Sequence, residues 1–204
     1  MRIENILGKT VLVFAGLLVS MVFATPRYAA KESLACAVCH ANVAGGEEMT
    51  DNGKIYKEKH AFDKKPDNVE EGRRATYIGV NKCKMCHMKT YKSWLTTPHA
   101  GAFKILVDKA SDKKEECVAC HTTGSGLIGG FAIATADEQM KNVTCEGCHG
   151  PGSLHKSAAK EDRKKFINTK ITESYCISCH NKEQSPKFDY KEYVKKGLHE
   201  IEKK

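Results

Sequence analysis

The sequence predicts a mainly α-helical protein with extensive loops and little β-structure. The segments between its cysteine pairs are rich in Lys, Gly and Asn and contain few alternating apolar runs, which favours short helices and loops over sheets. Aromatic residues make up only 7% of the 204 residues, so side chains alone cannot build a large core. Residues 127–133 give a weak strand signal, which predicts either a short hairpin or a segment that packs on a porphyrin.

A repeated cysteine motif indicates a cofactor that can form the core in place of side chains. Five times, two cysteines three positions apart are followed directly by a histidine, and these motifs use all ten cysteines. The cysteines are Cys36, Cys39, Cys83, Cys86, Cys117, Cys120, Cys145, Cys148, Cys176 and Cys179, and the histidines are His40, His87, His121, His149 and His180. This pattern is the attachment signature of c-type haem, in which the thiols add to the porphyrin vinyl groups and the imidazole ligates the iron from the proximal face. We therefore predict five covalently bound haem c groups in a compact multihaem cytochrome c built around stacked haems.

Other uses of the cysteines fit the sequence less well. Zinc sites use cysteine pairs two at a time, so five pairs would leave one unused. A disulfide framework does not require a histidine after each pair. The regular histidine therefore favours haem.

The N-terminus predicts export. Arg2 and Lys9 precede an apolar run over 11–24, which is shorter than the roughly 20 residues of a comfortable membrane span. We expect residues 1–24 to be a signal peptide cleaved after Ala24, leaving the protein in the periplasm. The alternative is an uncleaved anchor, which would be the only route to membrane association. Export also agrees with cysteine pairs that would otherwise oxidise outside the cytoplasm.

The formal charge of +8 raises the question of a nucleic-acid partner. Haem propionates would add roughly ten negative charges, so the lysine excess mostly balances the cofactors. We therefore expect no nucleic acid, and redox proteins as electron donor and acceptor. The basic run at 163–165 is solvated surface or a docking patch for an acidic redox partner.

The sixth ligands of the irons pose a counting problem. Only four histidines lie outside the motifs, namely His60, His99, His155 and His199. At least one of five irons must therefore take another ligand, stay open or borrow a histidine from a neighbouring subunit, and the last case predicts an oligomer or a filament. The methionines at 49, 85, 88 and 140 are expected to pack rather than to ligate.

Chain geometry indicates that the spare histidines serve distant haems. A helix predicted over 88–97 would carry His99 about 15 Å from the iron of its own motif. His155 follows His149 so closely that it could pass around a porphyrin edge only with difficulty. Both histidines are expected to ligate a neighbouring haem.

From Tyr77 onward, about two-thirds of the chain resembles the cytochrome c-554 family, the tetrahaem carriers known from ammonia oxidation. The blocks that carry the resemblance are 83–100, 117–124 with 129–131, 145–152 with His155, and 188–200. The resemblance implies a four-haem domain over 77–204, preceded by a single-haem extension over 25–76. It also implies particular ligand pairs: His155 for the haem of His87, His99 for that of His180 and His199 for that of His149, with the haem of His121 five-coordinate.

The first motif departs from the family pattern, and His60 is the spare histidine nearest to it. His60 is expected to ligate the haem of its own extension; the alternative is the haem of His121. Gly45, Gly46 and Gly53 make the intervening loop flexible enough for the first role.

These observations predict a periplasmic carrier that passes single electrons between redox partners in a respiratory chain. That work requires no catalytic residue, because the cofactor supplies the chemistry. The alternative is an enzyme that reduces or oxidises a small nitrogen compound, such as nitric oxide, at an open iron on His121. Thr122 and Thr123 follow this histidine, and no acid or base lies beside it in the sequence.

Overall fold

The computed structural model describes residues 26–200 and is helical, which confirms the predicted mainly α fold. Its α-helices are α1 (Pro26–Glu32), α2 (Cys36–Cys39), α3 (Asp51–Lys59), α4 (Val80–Lys84), α5 (Met88–Trp94), α6 (Ala102–Asp108), α7 (Glu115–His121), α8 (Cys145–His149), α9 (Ser153–Ser157), α10 (Glu173–Cys176) and α11 (Tyr190–Gly197). Three 3₁₀ turns lie at Glu71–Arg73, Pro98–Gly101 and Arg163–Phe166. Within the described residues there is no strand, only the isolated bridges His40–Met49 and Thr122–Lys141.

Polar caps define where the two longest helices begin. Thr50 Oγ1 accepts a hydrogen bond from the Gly53 N–H at 3.2 Å, at the start of α3. Asp189 Oδ1 accepts one from the Glu192 N–H at 3.0 Å, at the start of α11. In each cap, a side-chain oxygen accepts a hydrogen bond from a backbone N–H of the first turn, which has no acceptor within the helix.

The helix predicted over 88–97 is shorter than expected. Helix α5 ends at Trp94, and a separate 3₁₀ turn begins at Pro98. Proline cannot continue a helix because its ring displaces the backbone of the preceding turn. His99 therefore lies in the 3₁₀ turn rather than in α5.

The side-chain core is small. It consists of Tyr77, Phe103, Leu106, Val118, Phe131 and Met140. Phe131 is 1% exposed, and its N–H donates to Thr123 O at 2.9 Å. Residues 127–133 form turns and bends that place Phe131 in this side-chain core, so the hairpin alternative is wrong. Packing on a porphyrin stays a prediction.

The N-terminal extension has its own tight packing. Helix α3 lies so close to α2 that a Cβ on Gly53 would come within 2.0 Å of the Cys39 carbonyl oxygen. Thr50 Oγ1 also donates to Val38 O at 2.6 Å. Glycine at position 53 is therefore required by the approach of the two helices.

Between residues 26 and 200, none of the helices has the length and apolarity that crossing a membrane requires. The predicted signal segment, 1–24, lies outside the described residues.

Candidate haem-iron centres

Each cysteine motif lies in or beside a short helical turn. Residues three apart on a helix project from the same face, so the two thiols of a motif are presented together. The histidine that follows is held by the same turn: the His40 N–H donates to Cys36 O at 2.8 Å, and the His180 N–H donates to Cys176 O at 2.9 Å. The local fold thus presents two thiols and one imidazole as a unit.

Three motif histidines each lie opposite a histidine from outside the motifs. The ring centroids are 6.2 Å apart for His87 and His155. They are 6.0 Å apart for His99 and His180, and 6.0 Å apart for His149 and His199. These are the three pairs that the family resemblance implies.

The spacing of these rings fits an intervening iron. Two imidazoles that each bind one metal ion through a nitrogen about 2 Å away have ring centroids about 6 Å apart. The three observed separations, 6.0 to 6.2 Å, match this value. The chain therefore offers three sites whose residues fit a six-coordinate haem iron.

Hydrogen bonds also set the tautomer of several imidazoles. Nδ1 lies within hydrogen-bond distance of a backbone carbonyl in His99, His121, His149, His155 and His199, at 2.7 to 2.9 Å. A carbonyl can only accept, so Nδ1 carries the proton and Nε2 keeps the lone pair that a metal needs. In His180, Nδ1 lies 3.1 Å from Ser185 Oγ. The chain itself therefore orients these rings for ligation through Nε2.

Burial favours the ligating form of three motif histidines. It lowers the pKa of His40, His149 and His180. A metal ligand must be neutral imidazole, so a lowered pKa leaves more of each side chain ready to bind at neutral pH.

Two motif histidines have no such partner. Among the described residues, neither His40 nor His121 lies opposite a second histidine ring at ligand-pair distance. His121 Nδ1 is 2.7 Å from Ala102 O, so this ring is oriented like the paired ones. Over residues 26–200, three motif histidines thus face a second histidine ring and two do not.

His60 lies at the exposed end of α3, with a left-handed φ of 53°. Its ring packs on Tyr28 with centroids 6.1 Å apart. The structure does not bring it to ligand-pair distance of His40 or His121, so its role as a distal ligand stays a prediction.

The methionines occupy varied environments. Met140 is 3% exposed in the side-chain core, in agreement with a packing role. Met49 pairs with His40 in an isolated antiparallel bridge. Directly paired residues project their side chains to the same face, so Met49 lies beside His40 rather than across a porphyrin from it.

The attachment thiols of different motifs adjoin one another. A hydrogen bond between Cys83 and Cys145 raises the pKa of Cys83 and lowers that of Cys145. A hydrogen bond to Cys120, together with burial, raises the pKa of Cys179. The second motif therefore neighbours the fourth, and the third neighbours the fifth.

The fourth motif also adjoins the fifth and the first. Burial raises the pKa of Cys148 to about 12, and the charge of Cys176 adds to the increase. Burial likewise raises the pKa of Tyr175, with contributions from Cys148 and Cys36. Tyr175, which directly precedes Cys176, thus lies near both the fourth and the first motif.

Sequence reasoning did not single out Glu146, which lies between the cysteines of the fourth motif. The side chain is 2% exposed and accepts hydrogen bonds from the N–H groups of Ile78 (3.1 Å), Gly79 (2.8 Å) and Gly152 (2.7 Å). Burial raises the pKa of this carboxyl, and the three donors oppose the increase. Glu146 ties the chain before the second motif to the fourth motif.

Asn168 was also missed. It is 7% exposed, and its carbonyl oxygen lies 2.7 Å from His149 Nδ1. No motif includes it, so no signal in the sequence indicates its role.

Comparison with known proteins finds similarity to cytochromes c554. The family model described as cytochrome c554 and c-prime matches residues 82–150. Cytochrome c-554 of Nitrosomonas europaea is 32% identical over an alignment of 143 residues, and the match covers 55% of this chain and 61% of that protein. The solved structure of reduced cytochrome c554 from the same organism is similar with a TM-score of 0.51 and 28% identity, covering 62% of this chain and 86% of that one. The chain thus spans about 61% of the length of the curated relative it matches.

Proposed function

We propose that the chain is a member of the cytochrome c-554 family, whose model matches residues 82–150, and that it is an exported carrier of single electrons with five covalently attached haems. The observation that carries this proposal is the set of three histidine pairs with ring centroids 6.0 to 6.2 Å apart. When bound, haem supplies the one-electron chemistry, and axial ligands, burial and hydrogen bonds tune its potential.

The residues have distinct tasks in this proposal. All ten motif cysteines attach porphyrin, and the five motif histidines are proximal ligands. The distal ligands are His155 opposite His87, His99 opposite His180, and His199 opposite His149. A pair of neutral imidazoles gives a saturated iron suited to electron transfer rather than to ligand binding.

The neighbouring thiols support a continuous path through the protein. Cys83 lies beside Cys145, Cys148 beside Cys176, and Cys179 beside Cys120. We therefore expect an electron path that passes through the second, fourth, fifth and third motifs in that order. Side chains that hold neighbouring porphyrins close together are what a carrier with several haems requires.

The extension over 25–76 adds the fifth haem to a four-haem domain over 77–204. The support is that Cys36, Cys39 and His40 form the same helical turn as the other motifs. Export to the periplasm is part of the proposal, since haem attachment of this type accompanies secreted cysteine pairs. Redox proteins are the expected donor and acceptor, within a respiratory chain.

A second candidate function concerns the iron on His121. His121 lies outside the three ring pairs although its Nδ1 is anchored to Ala102 O at 2.7 Å. An open iron there would bind a small nitrogen compound such as nitric oxide, and reducing or oxidising that compound with electrons from the neighbouring haems would make the protein an enzyme. A histidine from a second copy of the chain would close the same site and produce an oligomer.

Intact mass and the pyridine haemochrome assay, combined with the ferric electron paramagnetic resonance spectrum, test both candidates. The carrier proposal expects five haems, at least three of them low-spin and bis-histidine. A count of four or fewer would overturn it. A high-spin signal that responds to nitric oxide would support the enzyme, whereas exclusively low-spin signals would remove it.

A further inference from the structure

The loop that follows the first motif lies against the connection between the fourth and fifth motifs. Asn42 Nδ2 donates to Lys165 O at 3.3 Å and to Ile167 O at 3.4 Å. Glu47 Oε1 accepts hydrogen bonds from Thr172 Oγ1 and, at 2.7 Å, from Ser174 Oγ. Two side chains of the extension thus bind two parts of one surface.

The two backbones also approach each other closely. A Cβ on Gly150 would come within 1.9 Å of Ala44 O, and Gly150 has a φ of 77°. Any larger residue there would separate the extension from the residue that follows His149. The interface therefore reaches the fourth motif itself.

Asn168 lies at the centre of this contact. Its backbone carbonyl oxygen accepts a hydrogen bond from His149 Nδ1 at 2.7 Å. The position of a Cβ on Gly46 is 3.6 Å from Asn168 Cγ, and the backbone of Gly46 also faces His40 Nδ1 without forming a well-aligned hydrogen bond. Gly46 thus lies between the surroundings of two proximal histidines.

The side-chain amide of Asn168 is only partly hydrogen-bonded. Asn168 Oδ1 accepts from the Lys170 N–H at 3.0 Å, but Nδ2 is buried without a partner among the described residues. Burying a donor without an acceptor is costly. Haem carries carboxylates, which are acceptors, so this donor fits a chain that binds haem nearby.

We propose that the loop 42–47 docks the N-terminal extension on residues 165–174, and that Asn168 is a positioning residue coupling the first motif to His149. The proposal rests on the proposed function, since it takes the first motif to hold a haem. The hydrogen bond from Nδ1 governs the basicity and orientation of a ligating histidine, so displacing Asn168 changes the site of His149. The extension therefore influences a haem that it does not itself attach.

Glu47→Ala tests the docking in the full-length, haem-loaded protein. Glu48→Ala is the matched control, because Glu48 is an exposed carboxylate in the same loop. Hydrogen exchange is measured over residues 41–50 and 165–175. Protection should fall about tenfold in both segments of Glu47→Ala and stay unchanged in Glu48→Ala.

Electron paramagnetic resonance of the same proteins tests the coupling. Glu47→Ala should shift the low-spin signal lost in His199→Ala, which identifies the haem of His149, although position 47 lies in the extension. Asn168→Ala keeps the backbone carbonyl that accepts from His149 Nδ1 but removes the side-chain hydrogen bond to the Lys170 N–H, so the carbonyl should move and the same signal should shift. Unchanged exchange in both segments, or an unchanged His149 signal in both variants, would overturn the proposal.

The haem count separates this failure from failure of the proposed function. Five haems with unchanged exchange would overturn the docking alone. Four haems in the unsubstituted protein would overturn the five-haem carrier, whereas exchange would still report on the hydrogen-bonded contact.

Discussion

The imidazole rings of His87 and His155 face each other with centroids 6.2 Å apart, although one residue belongs to the second cysteine motif and the other follows the fourth. Both rings are presented by separate helical segments, the N-terminal cap of α5 and the body of α9. His155 Nδ1 lies 2.9 Å from Arg163 O and donates its hydrogen bond there, which leaves the lone pair of Nε2 available to bind a metal.

His155→Ala should convert one low-spin haem into a high-spin haem. The substitution removes the imidazole opposite His87, and an iron with one strong axial ligand is high-spin in the ferric state. Electron paramagnetic resonance measures the change, with Lys156→Ala as the control because Lys156 is exposed on the same helix. An unchanged low-spin count in His155→Ala would contradict the pairing.

His60→Ala should remove one low-spin haem without changing the three paired sites. Its ring contacts Tyr28 and has no histidine partner within the described residues, so a ligand role requires α3 to adjust on haem binding. Comparing the variant with His40→Ala and His121→Ala identifies the affected iron. A full low-spin count in His60→Ala would show that His60 ligates neither iron.

Gly53→Ala should destabilise the extension, although alanine normally favours a helix by about 1 kcal/mol over glycine. The added Cβ would lie 2.0 Å from Cys39 O, so α3 must move away from α2. We expect a net cost of about 1–3 kcal/mol, measured as the free energy of unfolding. Gly72→Ala is the control, because a Cβ there meets nothing within 4 Å, and a similar loss in that variant would contradict the packing argument.

Glu146→Ala should cost about 3 kcal/mol or more, because three buried backbone N–H groups would lose their acceptor. Chemical denaturation measures the change. Glu138→Ala removes an exposed carboxylate and should stay within about 0.5 kcal/mol of the unsubstituted protein. Equal stability of the two variants would mean that Glu146 does not hold the second and fourth motifs together.

Acidification should loosen the docked loop. Hydrogen bonds from Thr172 and Ser174 lower the pKa of Glu47 from its usual value of 4.5. A lowered pKa in the folded state stabilises docking at every pH above the unfolded value, and this contribution is lost as the pH falls through the folded value. Hydrogen exchange over 41–50 should therefore rise below about pH 4.5 in the unsubstituted protein beyond the rise in Glu47→Ala. Parallel pH profiles for the two proteins would contradict the prediction.

The fold class and the size of the side-chain core could be predicted from the sequence, because both depend on local composition. The mainly α fold follows from short, polar, loop-rich segments between motifs, and the structure confirms it. The small core follows from the low aromatic content, and Phe131 packs in it rather than in a hairpin. Helix α5 is shorter than predicted. It ends at Trp94, because Pro98 disfavours helical backbone in the residue before it and cannot continue the helix.

The sequence by itself determined the cysteine motifs and hence the predicted number of haems and proximal ligands, since those residues are contiguous and act within one helical turn. Tertiary structure decided which rings face each other, because His99 and His180, like His149 and His199, are brought together by separate elements whose packing no spacing rule specifies. It also decided the roles of Glu146 and Asn168, whose hydrogen-bond partners lie far away in the chain or across an interface. A motif is a local covalent pattern, whereas a ligand pair is a distance between two elements, and only the folded chain sets that distance.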